Sequence, residues 1–223
     1  MMGMDQLGTV LMIWAHPDDE TYLAGGVSAL LTDAGQRVAC ITATRGEAGG
    51  DGQVRTVELE EALEVLGVSE HHWLDYPDGG CADVDTDEAV ARIRSIVDEV
   101  RPDTVLTFGP DGITGHPDHQ TVGAWADRAL EGNDAWLLHA VSRDRVVDRA
   151  LDEEFGVYEL GRPRVCADDE LDLLLELEGP TLDRKVEALL LQKSQTGPLV
   201  DAVGLERFRA WVADEAFALP IIH

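Results

Sequence analysis

Two short clusters that combine histidine with acidic residues are the part of this chain best suited to chemistry. The first is HPDDE at residues 16–20, and the second is GHPDHQ at residues 115–120. Each comes soon after an apolar run with the character of a buried strand, residues 9–15 in one case and 104–109 in the other. Proline is tolerated where a helix begins, so each cluster also marks the entrance of a helix.

The spacing within the clusters is that of metal-binding groups. His16 is followed three residues later by Asp19, and His116 is followed three residues later by His119. Positions i and i+3 face the same side of a helical turn, so both members of a pair can reach one point. We expect His16, Asp19 and His119 to bind a metal ion. Nitrogen and oxygen donors favour Zn2+, with iron, cobalt or manganese as alternatives.

Each cluster has an alternative explanation when it is taken alone. Asp18 or Asp19 could cap a helix, with Glu20 complementing the helix dipole. His116 could be a loop histidine that is held by hydrogen bonds. The presence of two such clusters at the same edge of one sheet favours the metal site.

The neighbours of the expected ligands complete a hydrolytic site. Three protein ligands leave a position open for water, and zinc lowers the pKa of such a water toward ~7. Asp18 is the candidate general base that takes its proton. His116 is the candidate for stabilising an oxyanion or protonating a leaving amine, and Asp118 would orient its ring. Such a set predicts hydrolysis of an amide or an ester.

The order of apolar patterns predicts the fold that positions the clusters. Five runs are predicted strands, at residues 9–15, 37–44, 71–76, 104–109 and 135–141. Helical periodicity occupies the segments after them, at residues 21–35, 55–67, 86–100 and 120–130. This alternation predicts an α/β fold with a mostly parallel sheet and helices on both faces. Ligands bind at the carboxyl ends of the strands in such sheets, and both clusters fall there.

No linker or internal repeat divides the chain. We therefore expect a single domain over residues 1–223, with a core at 9–145 and a C-terminal helical extension at 146–223. Two helices, at roughly 181–193 and 204–217, are expected to finish the chain.

The composition excludes several classes of protein. The chain has 44 acidic and 17 basic residues and a net charge of −27, so nucleic acid and anionic membrane surfaces are poor partners. Three widely spaced cysteines do not make a disulfide framework. No segment approaches the ~18 apolar residues of a membrane span, and no leader pattern opens the chain, which predicts a cytoplasmic protein without membrane insertion. A homo-oligomer is compatible with this composition.

The motifs AHPDDE, TRGEAG, PDG and GHPDH, in this order, resemble those of the LmbE-like, or PIG-L, family of de-N-acetylases. The resemblance covers roughly residues 9–125. It implies a Rossmann-like α/β fold. It also implies the zinc-dependent removal of an acetyl group from an N-acetylglucosamine-type sugar, or the cleavage of related amides, so an N-acetylated sugar is the expected small-molecule partner.

The resemblance assigns roles and also has gaps. The assigned residues are the zinc ligands His16, Asp19 and His119, the general base Asp18, the oxyanion stabiliser and acid His116 with its partner Asp118, and the sugar-side residues Arg55 and Glu47. Thr114 stands where some members have a tyrosine, and Gln192 stands where many have a histidine. Tyr76 and Asp78 are weaker candidates for the rim of the site.

Three other functions remain as alternatives. A receiver-like signalling module needs a lysine after a late strand, but Lys185 and Lys193 are the only lysines. A metal-dependent phosphoesterase gathers more carboxylates and often two metals. A non-catalytic sugar-binding protein would not need the complete set of candidate catalytic residues. Activity on N-acetyl sugars compared with phosphate esters separates the enzymes.

Overall fold

The computed structural model describes residues 1–143 and 154–221. Its main sheet is built around five parallel strands: β1 (Val10–Trp14), β2 (Val38–Thr44), β3 (Glu70–Tyr76), β4 (Thr104–Phe108) and β5 (Trp136–Ala140). Each strand ends within one residue of its predicted bounds. The residues of β1, β2 and β4 are all buried, as expected for parallel strands covered on both faces. The predicted α/β fold class is confirmed.

The strand order explains how two distant clusters meet. The order in the sheet is β3-β2-β1-β4-β5, so the chain builds outward from β1 in one direction and then returns to build outward from β4 in the other. Such a reversal leaves a crevice at the carboxyl ends of the two central strands. The loop after β1 carries HPDDE, and the loop after β4 carries GHPDHQ.

Three of the helices that follow these strands start two or three residues earlier than predicted, and the helix at Thr86 starts where it was predicted. The helices are α1 (Asp19–Asp33), α2 (Gly52–Leu66), α3 (Thr86–Val100), the single turn α4 (Gly112–Gly115) and α5 (Pro117–Ala129). Three of these helices begin earlier because capping residues and proline start a helix before its first apolar residue, and the apolar pattern does not show them. Asp51 caps α2 by accepting the Gln53 N–H at 2.8 Å, and Pro117 occupies the first position of α5.

The C-terminal region adds strands as well as helices. Its elements are β6 (Ser142–Arg143), β7 (Val165–Cys166), β8 (Leu173–Glu176), α6 (Gly179–Leu191), α7 (Lys193–Val203), α8 (Leu205–Trp211) and β9 (Asp214–Ala218). Strand β9 pairs antiparallel with both β5 and β8 and extends the main sheet to seven strands. The helix predicted over 204–217 is therefore wrong beyond Trp211. The predicted division at residue 145 stays a prediction.

The core lies against both faces of the central strands. Trp14 and Phe108, at the ends of β1 and β4, pack edge to face with their ring centres 4.9 Å apart, directly beneath the two clusters. In the two ranges that the structure describes, no helix combines the length and the apolar character that crossing a membrane would need.

Candidate metal centre and active site

The turn from β1 into α1 positions the first cluster. Asp19 opens α1, and its carboxylate accepts the backbone N–H of His16 at 2.8 Å. Asp18, between them, has a φ of 111°, a strained conformation for a residue with a side chain. Within the described residues, the Asp18 side chain makes no capping hydrogen bond. The alternative in which Asp18 caps the helix is therefore wrong.

The second cluster is held by the α4 turn and the first turn of α5. The His119 ring bonds through Nδ1 to the Gly112 carbonyl at 2.9 Å, which leaves Nε2 as its lone-pair nitrogen. His116 caps α5, because its Nδ1 accepts the Asp118 N–H at 3.2 Å. Gly115 has a φ of 76° and packs on the backbone of Leu160 and Gly161, where a side chain would not fit.

Donor atoms from the two clusters converge as predicted. The distance is 3.1 Å from His16 Nδ1 to His119 Nε2, 3.4 Å from His119 Nε2 to Asp19 Oδ1, and 3.6 Å from His16 Nδ1 to Asp19 Oδ2. Ligands on a tetrahedral zinc ion at 2.0–2.1 Å lie about 3.3 Å from one another. The three side chains are only 7–8% exposed. This donor set fits a zinc ion.

Two further groups of donor atoms lie in the same place. Each has its atoms within 4.8 Å of one another, and they are His16 with His116 and His119, and His16 with Asp78 and Asp118. We favour the set of His16, Asp19 and His119, because it joins the two clusters and because Asp19 presents one carboxylate oxygen to each histidine. The additional members of the other two groups, His116, Asp78 and Asp118, lie around this set.

Two carboxylates hold the outer face of the His16 ring. His16 Nε2 lies 2.9 Å from Asp78 Oδ1 and 3.3 Å from Asp118 Oδ2. Burial lowers the pKa of His16, but the hydrogen bonds to Asp118 and Asp78 outweigh it and raise the pKa to about 10. A carboxylate on the outer nitrogen of a metal-binding histidine fixes the ring and makes the other nitrogen a stronger ligand.

The position of Asp118 corrects one sequence-based expectation. Asp118 was expected to orient the His116 ring, but its carboxylate lies against His16 and accepts the backbone N–H groups of Gly79 at 2.7 Å and Cys81 at 3.1 Å. Only its backbone N–H bonds to His116. The Asp118 side chain is fully buried in the first turn of α5, and it reaches across the crevice to His16 and to the loop after β3.

Asp78 joins the metal centre to the rim. Besides its contact with His16, its Oδ2 accepts the Ala48 N–H at 2.8 Å, and its own N–H bonds to Glu47 Oε1 at 3.0 Å. Glu47 is exposed, and its contact with Asp78 places it next to the candidate site. Asp78 was only a weak rim candidate, although the PDGG turn after β3 was the signal for it.

Arg55 lies beneath the site rather than at its surface. It is 4% exposed, and its two terminal nitrogens donate to the carbonyls of Gly46 at 2.8 Å and Pro17 at 2.6 Å. One of them lies 3.5 Å from Asp18 Oδ2. Burial and the nearby Asp19 charge raise the pKa of Asp18, and Arg55 opposes this shift. Arg55 therefore holds two loops and the Asp18 carboxylate in place.

A buried polar chain supports Asp18 from the other side. The Asp18 N–H donates to Glu20 Oε2 at 3.1 Å. Glu20 is fully buried, and its other oxygen accepts the Thr21 hydroxyl at 2.6 Å and the Gln192 amide at 2.7 Å. Gln192, which stands where many family members have a histidine, thus reaches the site only through Glu20.

An apolar cavity of about 240 Å³ opens on the opposite side of the metal centre, against Asp19 and His119. Its apolar walls include Tyr22, Leu23, Ile113, Val141, Trp211 and Ala216. The site therefore has a polar side, formed by the loops after β2 and β3, and an apolar side, formed by the end of β5, the end of α8 and β9.

Comparisons with known proteins agree with this geometry. The family model described as PIG-L, GlcNAc-PI de-N-acetylase, matches residues 11–130. A 1D-myo-inositol 2-acetamido-2-deoxy-alpha-D-glucopyranoside deacetylase from Corynebacterium glutamicum is 32% identical over 83% of this chain and 74% of its own length. A protein of the same name from Kineococcus radiotolerans is 36% identical over 57% of this chain, and that match covers 46% of the relative.

A solved structure shows the same fold over almost the whole chain. A conserved protein from Thermus thermophilus superposes with a TM-score of 0.65 and 24% identity, covering 96% of both chains. The family match spans both histidine clusters and the strands that carry them. From its sequence, its site and these matches, the chain belongs to the PIG-L family.

Proposed function

We propose that this chain is a zinc-dependent N-deacetylase that hydrolyses the acetamide of an N-acetylglucosamine-type sugar or sugar conjugate. The convergence of His16, Asp19 and His119 with separations of 3.1–3.6 Å is the observation that carries the proposal. These three side chains would hold the metal. When bound, zinc supplies Lewis-acid polarisation of the amide carbonyl and of the attacking water.

Asp18 is proposed as the general base. Its carboxylate lies next to the ligand Asp19, and burial and the Asp19 charge raise its pKa, so it can accept a proton from water and hold it. The water oxygen adds to the carbonyl carbon, the C–N bond breaks, and the proton passes to the departing nitrogen. The products are acetate and the free sugar amine.

His116 is proposed as the donor to the developing oxyanion. Its Nδ1 accepts the Asp118 N–H, so a neutral ring carries its proton on Nε2. Burial, with the charge of His16 nearby, lowers the pKa of His116, which favours this neutral form. The sequence also suggested His116 as the acid for the leaving amine, but a ring with a lowered pKa suits the oxyanion role better.

The sugar is proposed to bind on the polar side. Glu47 and the backbone of the glycine-rich loop form its exposed rim, and hydroxyl groups need such partners. Free N-acetylglucosamine, a chitin disaccharide, an inositol conjugate and a lipid-linked sugar are the candidates. The inositol conjugate comes first, because the relatives at 32–36% identity are named as deacetylases of such a compound.

The test combines metal content with acetate release in one preparation. We expect about one zinc per chain and acetate release from at least one sugar of the panel, with no phosphate release from sugar phosphates. Asp18→Ala should keep zinc and lose at least about a thousandfold in kcat. Asp83→Ala, in the exposed part of the 77–85 loop, is the control and should change neither. A protein that binds no zinc, or an Asp18→Ala variant with normal turnover, would contradict the proposal.

A further inference from the structure

The apolar cavity touches the reacting centre directly. Asp19 and Tyr22 lie on one face of α1, so the cavity wall continues from a proposed metal ligand into aromatic surface. His119 and Ile113 form the wall on the side of β4. A group attached to the carbonyl carbon of a bound amide would therefore point into an apolar space.

The charged groups at the far wall are already neutralised by protein partners. Arg143 is 2% exposed and pairs with Asp168 at 2.7 Å, Glu176 at 2.8 Å and Asp214 at 3.1 Å. An arginine in such a set has little hydrogen-bonding capacity to offer a ligand.

Glu215 is neutralised in the same way. Its carboxylate lies 2.7 Å from Lys185 Nζ, an ion pair by distance rather than an aligned hydrogen bond. It also accepts the backbone N–H groups of Gly26 at 2.6 Å and Val27 at 2.8 Å, where α1 is broken at Ala24. Thr114, Ser142 and Tyr158 add hydroxyl groups to the lining, but most of the lining is apolar, which favours an apolar occupant.

The volume sets the size of this occupant. An apolar cavity of about 150 Å³ is enough for benzene, so 240 Å³ has room for about six to ten carbon atoms. An acetyl methyl group would leave most of this space without contacts. Much of the wall, including Val141, Trp211 and Ala216, lies outside the residues 11–130 matched by the family model. The cavity is therefore built partly by the chain's own C-terminal region.

We propose that this cavity is an acyl-chain site and that the preferred substrate is an N-acylated sugar whose acyl chain has about six to eight carbons. This inference rests on the proposed function, because the same type of C–N bond is hydrolysed, and it changes the preferred acyl group from acetyl to a longer chain. Hydrolysis then releases a medium-chain carboxylate and the sugar amine. The sugar stays on the polar side, and the acyl chain enters the cavity past Asp19 and His119.

The first test is a chain-length series of N-acyl glucosamines, from acetyl through butyryl, hexanoyl and octanoyl to dodecanoyl, with the zinc-loaded protein. Each buried methylene is worth about three- to fourfold. We expect kcat/KM for the hexanoyl compound to exceed that for the acetyl compound at least tenfold, and to fall again for dodecanoyl. A steady fall from acetyl to hexanoyl would overturn the acyl-chain site while leaving the proposed amide hydrolysis intact.

Two variants with opposite effects connect the series to the cavity. Ala216→Phe fills the space, so the hexanoyl-to-acetyl ratio should fall at least tenfold. Trp211→Ala enlarges it, so the optimum should move to a longer chain. Leu205→Ala, at an exposed position of the same helix α8, is the matched control and should keep the profile of the original chain. A profile that neither cavity variant changes would overturn the assignment.

Binding separates this inference from the proposed function. If the zinc-loaded protein hydrolyses neither this series nor any N-acetylated sugar or conjugate of the first panel, the proposed function fails. Calorimetric titration with hexanoate and with acetate then tests the cavity. Hexanoate binding at least tenfold tighter than acetate binding, lost in Ala216→Phe, supports the acyl-chain site. Equal affinities contradict it.

Discussion

The polar and apolar sides of the metal centre use charged residues in opposite ways. On the polar side, Asp78 and Asp118 direct their carboxylates at His16, a proposed ligand. On the apolar side, Arg143 and Glu215 line the cavity, but their charges are paired with other protein groups. The strand order reverses between the two sides. The comparison shows that charged side chains contact a proposed metal ligand on one side and pair with one another in the cavity wall on the other.

Removing His119, the proposed ligand between the polar and apolar sides, should have the largest effect on zinc binding and activity. His119→Ala should lower zinc from about one per chain to a trace and abolish amide hydrolysis, because two remaining ligands do not hold the ion. Elemental analysis after gel filtration measures this. His72→Ala, on the partly exposed part of β3, is the control. Full zinc content in His119→Ala would show that His119, which lies between the polar and apolar sides, is not a metal ligand.

On the apolar side, breaking the buried ion pair should affect stability. Lys185→Met leaves Glu215 charged and unpaired in the interior, so the free energy of unfolding should fall by about 3–5 kcal/mol. Urea unfolding followed by circular dichroism measures the change. Lys193→Met, at the chain's other and exposed lysine, should stay within about 0.5 kcal/mol. Equal effects of the two substitutions would show that the Lys185–Glu215 ion pair does not stabilise the fold.

On the polar side, weakening the support of His16 should affect metal binding. Asp78→Asn removes a carboxylate from His16 Nε2, so zinc affinity should fall by about 10- to 100-fold. Competition with a chromogenic chelator measures it. Asp83→Asn, in the same loop, should bind zinc normally. An unchanged affinity in Asp78→Asn would mean that Asp78 only shapes the rim.

The smallest effect concerns the strand beneath the polar side. Burial, with the charges of His72 and Arg45 nearby, lowers the pKa of His71 on β3 to about 4. The unfolded chain binds a proton at His71 near pH 6.5, so acidification between about pH 6.5 and 4 favours unfolding. Between pH 7 and pH 5 we expect a loss of about 1–2 kcal/mol, which His71→Gln should remove. Urea unfolding at both pH values in the two proteins tests this, and parallel losses would contradict it.

The central fold could be predicted because three of its strands, β1, β2 and β4, are continuous buried runs of mostly apolar residues. A parallel strand is buried on both faces, so its bounds follow from composition alone. Strand β9 was not predicted because its first two residues are acidic and one of them, Glu215, is buried. Its partner Lys185 lies thirty residues earlier on helix α6, so no local sequence pattern indicates the pair.

The convergence of the proposed metal donors could be predicted, but the contacts that support them could not. His16, Asp19 and His119 follow from spacing and from the rule that strand ends share one edge of the sheet. The contacts of Asp78 and Asp118 with His16 depend on how three loops meet across the crevice. The burial of Arg55 likewise depends on the path of the glycine-rich loop, which the sequence leaves open.

The backbone of Asp18 has a consequence for the evolution of this chain. A φ of 111° is easier for glycine than for any residue with a side chain, so the chain gives up stability at this position. Selection for heat resistance alone would therefore favour glycine here and delete the proposed base. Selection for turnover would keep aspartate. At residue 18 the two pressures oppose each other, and libraries screened for each should diverge there.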